Sequence, residues 1–253
     1  MGNFVALILI TQLGNFVVWL LLAFLMEWLG RKEARTLIAA LLTCFIITEL
    51  VKTILKFPRP PSEQWLVQVD DPYGFPSGHA ATAFLASTYL ALHTRPFIKA
   101  LLLIMASLVA YSRIALGVHY PVDVLGGAFL GIALAMIFEG LEGLLEAKNR
   151  YVLGLTVPLS LILYFTFPVR PGLISGLVLG YGVSMNIQQY RGRECKVKYL
   201  VVGVIVLALL LLPLYLRVGP KFIEALLSFL LISYPLVIHH KLFLKKNEGT
   251  TSC

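Results

Sequence analysis

Long apolar runs separated by short, mostly basic loops constrain this chain more than any other feature. A run of about twenty such residues crosses a bilayer as a helix, because lipid offers no partner to a free backbone N–H or C=O. Composition agrees: 58% of the 253 residues are hydrophobic and 13% are charged, against roughly half and a quarter in a soluble domain. The fold class expected is all-α, a polytopic transmembrane helix bundle of about nine spans. They fall near residues 4–25, 36–55, 77–93, 97–115, 121–141, 151–168, 171–189, 199–216 and 221–239. The third is short and rich in small residues, which predicts burial within protein. Kinks are expected at Pro158, Pro213 and Pro235.

The net charge of +8 does not point to nucleic acid, because the basic residues sit in short loops between apolar runs. The loops after predicted spans one, three, five and seven, with the C-terminal tail, hold fourteen of the 21 Lys and Arg residues. The positive-inside rule puts those loops and the C-terminus in the cytoplasm. Loops 56–76 and 116–120 then face outward. Cys44, Cys195 and Cys253 have no metal-ligand spacing and no disulfide framework. No signal-peptide, myristoylation or prenylation pattern fits the termini, so the first apolar run is expected to stay as a helix. Gly127 and Gly131, and the ladder Gly172, Gly176 and Gly180, form small-residue faces suited to close helix packing or to a dimer seam.

Charged groups are costly in such a setting, and they cluster in three places. Lys52 and Arg59 bracket the end of span two, in Lys-x6-Arg-Pro. Read alone, they could be interfacial anchors. Pro76-Ser77-Gly78-His79 opens span three; Ser77 suits an N-cap, and Gly78 admits a close neighbour at an anion-binding helix start. A structural histidine is the rival reading of His79. Ser112-Arg113 is followed by His119 and Asp123. A carboxylate four residues on can hold one imidazole nitrogen and leave the other as a nucleophile. A metal-ligand pair is the alternative, but it leaves three nearby cations unexplained. Cations and donors together suit a phosphoryl group.

These three motifs, in this order, resemble those of the type 2 phosphatidic acid phosphatase (PAP2) superfamily: K-x6-R-P, P-S-G-H and S-R-x5-H-x3-D. The resemblance covers roughly residues 36–141, and it implies a PAP2-like core in the first five spans. Residues 1–141 are then the catalytic membrane core, with motifs at 52–123, and 142–253 add helices and a tail of unassigned role. It further implies a metal-independent phosphatase with no cofactor. His119 corresponds to the nucleophile, Asp123 to the group that orients it, and His79 to the general acid. Lys52, Arg59, Arg113, Ser77 and the Gly78 amide would hold the phosphoryl oxygens. Ser112 fits the motif without a clear role.

The partners expected are the bilayer and a membrane lipid phosphate or diphosphate, such as a polyprenyl diphosphate, phosphatidic acid or phosphatidylglycerol phosphate. A glucose-6-phosphatase-like sugar phosphatase is the alternative within the class, and vanadium haloperoxidases share the motifs. A lipid transporter or an inactive lipid-binding relative is the reading from another class; Asn15 and Asn186 could line a transport path. Glu49, one helical turn before Lys52, is expected either to tune that lysine or reach the site, or simply to pair locally as an interfacial carboxylate. Asp70-Asp71 reads as a solvated acidic turn, and His93, His239 and His240 are assigned no chemistry.

Overall fold

A computed structural model gives the structure of the protein and describes residues 2–69, 71–147, 149–166, 171–186, 205 and 221–234. Among these residues all regular structure is helical: α1 (Gly2–Gln12), α2 (Phe16–Trp28), α3 (Ala34–Leu55), α4 (Gly78–Leu92), α5 (Pro96–Ala115), α6 (Pro121–Ala147), α7 (Asn149–Thr166), α8 (Pro171–Asn186) and α9 (Lys221–Ser233). Prolines open α5, α6 and α8, at the helical position where a missing N–H costs nothing. Three described helices, α3, α5 and the Pro121–Gly143 part of α6, are long and apolar enough to cross a membrane, or four if α1 and α2 form one bent span. Of the expected span at 199–216 only residue 205 is described, and Pro213 and Pro235 lie outside the described residues.

The chain divides into two compact units. The first comprises Met1–Ala23 and Thr36–Glu142, and the second comprises Phe24–Arg35 and Gly143–Cys253. In the first unit the expected opening span is broken between α1 and α2, with a 49° bend. Asn15 Oδ1 accepts from the Val17 amide at 2.9 Å and so caps α2. Trp19 Nε1 donates to the Leu13 carbonyl at 2.7 Å, satisfying an acceptor freed by the break. Asn15 is therefore a helix cap, which removes one of the two residues that suggested a transport path. The break also seats Gly14 against α4 and α5: a Cβ there would stand 2.6 Å from Val109 Cγ1 and 3.0 Å from His79 Cβ.

α4 has fifteen residues, about 22 Å of helix at 1.5 Å per residue, less than the roughly 30 Å of bilayer hydrocarbon. Its Ala80, Ala81, Ala83, Leu85, Ala86 and Tyr89 are buried, as its small side chains predict. α6 lies against α4 backbone to backbone. A Cβ on Gly127 would strike the Ser77 carbonyl, and one on Gly131 the Ala81 carbonyl. This pair of glycines therefore serves intramolecular packing. By contrast, α5 leaves Phe97, Leu101, Ile104, Leu108 and Tyr111 exposed at alternating spacings of three and four, a continuous apolar face. α6 does the same with Leu125, Phe129, Ile132 and Met136. Such faces fit lipid rather than water.

In the second unit α8 packs against α7 and α9. Gly176 and Gly180 of α8 lie close to the backbone of Ala225 and Phe229 in α9. Pro158 lies within α7. Arg35 Nη2 pairs with Glu27 Oε1 at 2.7 Å, and Tyr181 donates to the Arg35 carbonyl at 3.4 Å.

Candidate active site

Each motif residue reaches the site from the end of a first-unit element. α5 stops through a local device: Val118 N–H bonds to the Arg113 carbonyl and Gly117 N–H to the Ile114 carbonyl. Gly117 stands at φ +72°, so these bonds make a Schellman cap. A Cβ on Gly117 would also strike the Gln64 carbonyl, and the Leu66 amide donates to the Leu116 carbonyl at 3.0 Å. The α3–α4 loop is thereby fastened onto the turn that presents His119. That loop doubles back on itself: Pro58 and Tyr73 form an antiparallel bridge, and Gly74 N–H bonds to the Phe57 carbonyl.

α6 begins with Pro121, and Asp123 is its third residue. The Asp123 carboxylate accepts from the Tyr120 amide at 2.9 Å, one half of a capping box. The same oxygen stands 3.3 Å from His119 Nδ1. The Asp123 carbonyl accepts from the Ser77 amide at 2.9 Å, tying the start of α4 to that of α6. A Cβ on Gly74 would lie 2.7 Å from Asp123 Oδ2, so the loop backbone covers the carboxylate.

Arg59 Nη1 lies 2.8 Å from His119 Nε2. A guanidinium can only donate, so in this contact Nε2 carries the lone pair and Nδ1–H faces Asp123. That is the tautomer a nucleophilic Nε2 requires. Arg59 is further held by the Val118 carbonyl at 2.9 Å and the Asp71 carbonyl at 2.7 Å. Burial, with the positive charges of Arg59 and Arg113 nearby, pushes the His119 pKa down to about 4, and the Asp123 hydrogen bond only partly opposes this. The imidazole is thus neutral at physiological pH.

Arg59, Arg113, His119 and Asp123 are each no more than 8% exposed. Buried charges are costly unless paired, and buried polar atoms are rarely left without a partner. Two are left so here. Ser77 Oγ and Arg113 Nε are buried and have no hydrogen-bond partner. Ser77 holds the N-cap position without making the capping bond expected of its side chain, so its hydroxyl remains available to a ligand. Arg113 spends Nη1 on Thr11 Oγ1, at 2.8 Å. Ser112 Oγ is occupied by the Val109 carbonyl at 2.6 Å, one turn back on its own helix. At Gly78 a Cβ would meet only Thr48 Cγ2, at an ordinary 3.5 Å; no neighbouring chain atom requires the glycine. His79 lies within electrostatic reach of Arg113, His119, Lys52 and Arg59.

Asp71 corrects the expectation of a solvated acidic turn. Its Oδ2 stands 2.6 Å from Lys52 Nζ and 3.4 Å from Arg59 Nη2. Burial raises its pKa, but the Lys52 charge and hydrogen bond, with help from Tyr73 N–H and Arg59, hold it below the usual carboxylate value. The signal in the sequence was local: Asp71 Oδ1 accepts from the Tyr73 amide two residues on, an Asx turn. Thr11 gave none, being 102 residues from Arg113. Glu49 Oε1 lies 2.9 Å from Lys52 Nζ, so Lys52 carries two carboxylate partners.

The model of the PAP2 superfamily matches residues 33–139. A decaprenylphosphoryl-5-phosphoribose phosphatase of Mycobacterium tuberculosis is 32% identical over 130 residues, covering 49% of this chain and 72% of that protein. The chain belongs to the PAP2 superfamily. Mouse sphingosine-1-phosphate phosphatase 1 is 31% identical over 169 residues, which are 60% of this PAP2 member but only 39% of the mouse protein. The crystal structure of a transmembrane PAP2 type phosphatidylglycerolphosphate phosphatase from Bacillus subtilis superposes with a TM-score of 0.51 at 23% identity, over 58% of this chain and 80% of that one. That likeness concerns the fold. The apolar helices of this PAP2 member are long enough to cross a membrane, and the relatives named are phosphatases throughout.

Proposed function

We propose that this chain is a membrane phosphatase acting on a lipid phosphate or diphosphate through a phosphohistidine intermediate at His119. The observation that carries the reading is the held imidazole, with Nδ1 on Asp123 and Nε2 on Arg59, beside two buried donors without a partner. Nε2 attacks phosphorus and the bond from phosphorus to the leaving oxygen breaks. His79 supplies the proton that oxygen needs. Asp123 stabilises the cationic phosphoimidazole. His79, now a base, takes a proton from water; the hydroxide attacks phosphorus, the P–N bond breaks and inorganic phosphate leaves. Lys52, Arg59, Arg113, Ser77 and the Gly78 amide balance charge on the phosphoryl oxygens, the form of catalysis phosphoryl transfer mostly relies on. No step calls on a metal.

The apolar faces of α5 and α6 support a lipid substrate: a lipid tail can stay in the bilayer while its phosphate enters the polar end of the bundle. The names of the relatives point the same way. In this reading the chain crosses the membrane nine times, its catalytic core is residues 1–141, its site opens on the extracytoplasmic face, and its C-terminus is cytoplasmic. Phosphate release from a panel of lipid phosphates and diphosphates, by the full chain in detergent, tests the reading. His119→Ala should abolish release and His79→Ala should lower turnover by about 10²–10⁴-fold. Release by His119→Ala at near the wild-type rate would sink the mechanism.

A further inference from the structure

α4 and α6 both start at the site, carrying His79 and Asp123, and both run away from it. Where they end, a second polar cluster forms. His93 caps the C-terminus of α4; Glu139 and Glu142 lie three residues apart on α6, on one helix face. His93 Nε2 stands 2.8 Å from Glu139 Oε2 and 3.9 Å from Glu142 Oε2. One donor atom from each of the three side chains lies within 4.8 Å of the others. At 1.5 Å per residue, fifteen residues of α4 put this cluster about 22 Å from the start of that helix. It is no part of the phosphoryl site.

We propose that His93, Glu139 and Glu142 bind a divalent transition-metal ion of the Zn²⁺ class. The contact between His93 Nε2 and Glu139 Oε2 is short, yet both atoms are buried and neither makes a hydrogen bond. The ring nitrogen and the carboxylate oxygen are close without being aligned for N–H···O. No N–H···O bond joins the two atoms, and a metal ion off the N···O line would engage both. Donors on a tetrahedral zinc at about 2.0–2.1 Å stand roughly 3.3 Å apart, and the observed 2.8 and 3.9 Å bracket that spacing. One imidazole nitrogen with two carboxylate oxygens is a donor set for zinc and its neighbours rather than for calcium or magnesium. The ring is also pre-set: Tyr89, fully buried one turn earlier on α4, packs on it with centroids 4.9 Å apart. Three protein ligands leave one position for water. A metal there clasps the far ends of the two helices whose near ends hold His79 and Asp123.

The test uses the full chain in detergent, stripped with EDTA and titrated with Zn²⁺ by calorimetry and with Co²⁺ by visible d–d absorption. The wild type should bind one equivalent, with a thermal midpoint that rises on loading. Both His93→Ala and the milder Glu142→Gln should weaken binding at least tenfold. His119→Ala, which disables the phosphoryl site, should bind as the wild type does. Failure of the wild type to bind a stoichiometric ion overturns the proposal. So does affinity unchanged in His93→Ala, which would assign the ion to other groups, and so does loss of binding in His119→Ala. None of these readouts depends on phosphatase activity.

Discussion

His119 is a neutral imidazole in a pocket of cations, and that sets the pH at which it can act. In the proposed mechanism, attack needs Nε2 unprotonated. With burial and the two arginines holding its pKa at about 4 rather than 6.5, the fraction able to attack falls only as pH drops through about 4. Because kcat/KM reports the free enzyme, its acid limb should lie near pH 4 once the substrate's own ionisation is corrected for. A limb near 6.5 would mean that neither burial nor the arginines press on the ring. Asp71 acts in the opposite sense, since its carboxylate engages Lys52 and Arg59 before any phosphate arrives. An incoming phosphate must displace it. Asp71→Asn should therefore strengthen inhibition by vanadate or inorganic phosphate about fivefold, roughly 1 kcal/mol for a partly screened ion pair; weaker inhibition would instead make Asp71 a positioning group. His119, Asp123, Arg59 and Lys52 could be picked out from sequence because their chemistry is written in residue type and short spacing. Thr11 could not, and Asp71 only as a local Asx turn, since their contacts with Arg113, Lys52 and Arg59 arise only when distant segments meet.

At the scale of elements, the glycines of α6 separate packing from conformational freedom. Gly131 and Gly140 lie on the same helix, but a Cβ at Gly131 meets the Ala81 carbonyl whereas one at Gly140 meets nothing within 4 Å. Gly131→Ala should lower the thermal midpoint because backbone cannot yield as a side chain can. Gly140→Ala should leave it unchanged or raise it, because helix propensity favours alanine by up to about 1 kcal/mol. Thermal unfolding of the two variants in detergent reads the difference, and equal effects would refute the α4–α6 contact. Helices α3, α5 and α6 were legible as apolar runs that end at prolines and polar motifs. The bend between α1 and α2 was not. Its run is interrupted only by Thr11, Gln12, Gly14 and Asn15, and what breaks it is the Asn15 cap and the Trp19 bond to Leu13, too local to stand out from the apolar residues on either side. The pairing of His93 with Glu139 and Glu142 was equally hidden, because it exists only once α4 and α6 lie side by side.

For the whole molecule, the proposed orientation rests on the distribution of Lys and Arg. If loop 56–76 faces outward, a cysteine at the exposed Glu63 should react in intact cells with a membrane-impermeant maleimide. A cysteine at exposed Arg95, between α4 and α5, should react only after permeabilisation. Both belong in a chain whose Cys44, Cys195 and Cys253 are replaced by serine. The reverse pattern would turn the site to the cytoplasm and overturn the charge argument.

The backbone-to-backbone seam between α4 and α6 has a consequence for how such a chain can change its substrate. His79 and Asp123 ride on helices that cannot slide without carbonyls colliding at Gly127 and Gly131. Lys52 and Arg59 instead meet a loop fastened by a handful of bonds at Pro58, Leu66, Asp71 and Gly74. In the proposed mechanism the acid and the support of the nucleophile are held rigidly, and what covers them is a stretch of chain about fifteen residues long. Rewriting residues 60–73 would therefore retune which headgroup fits, while the bond-breaking atoms stayed where they are.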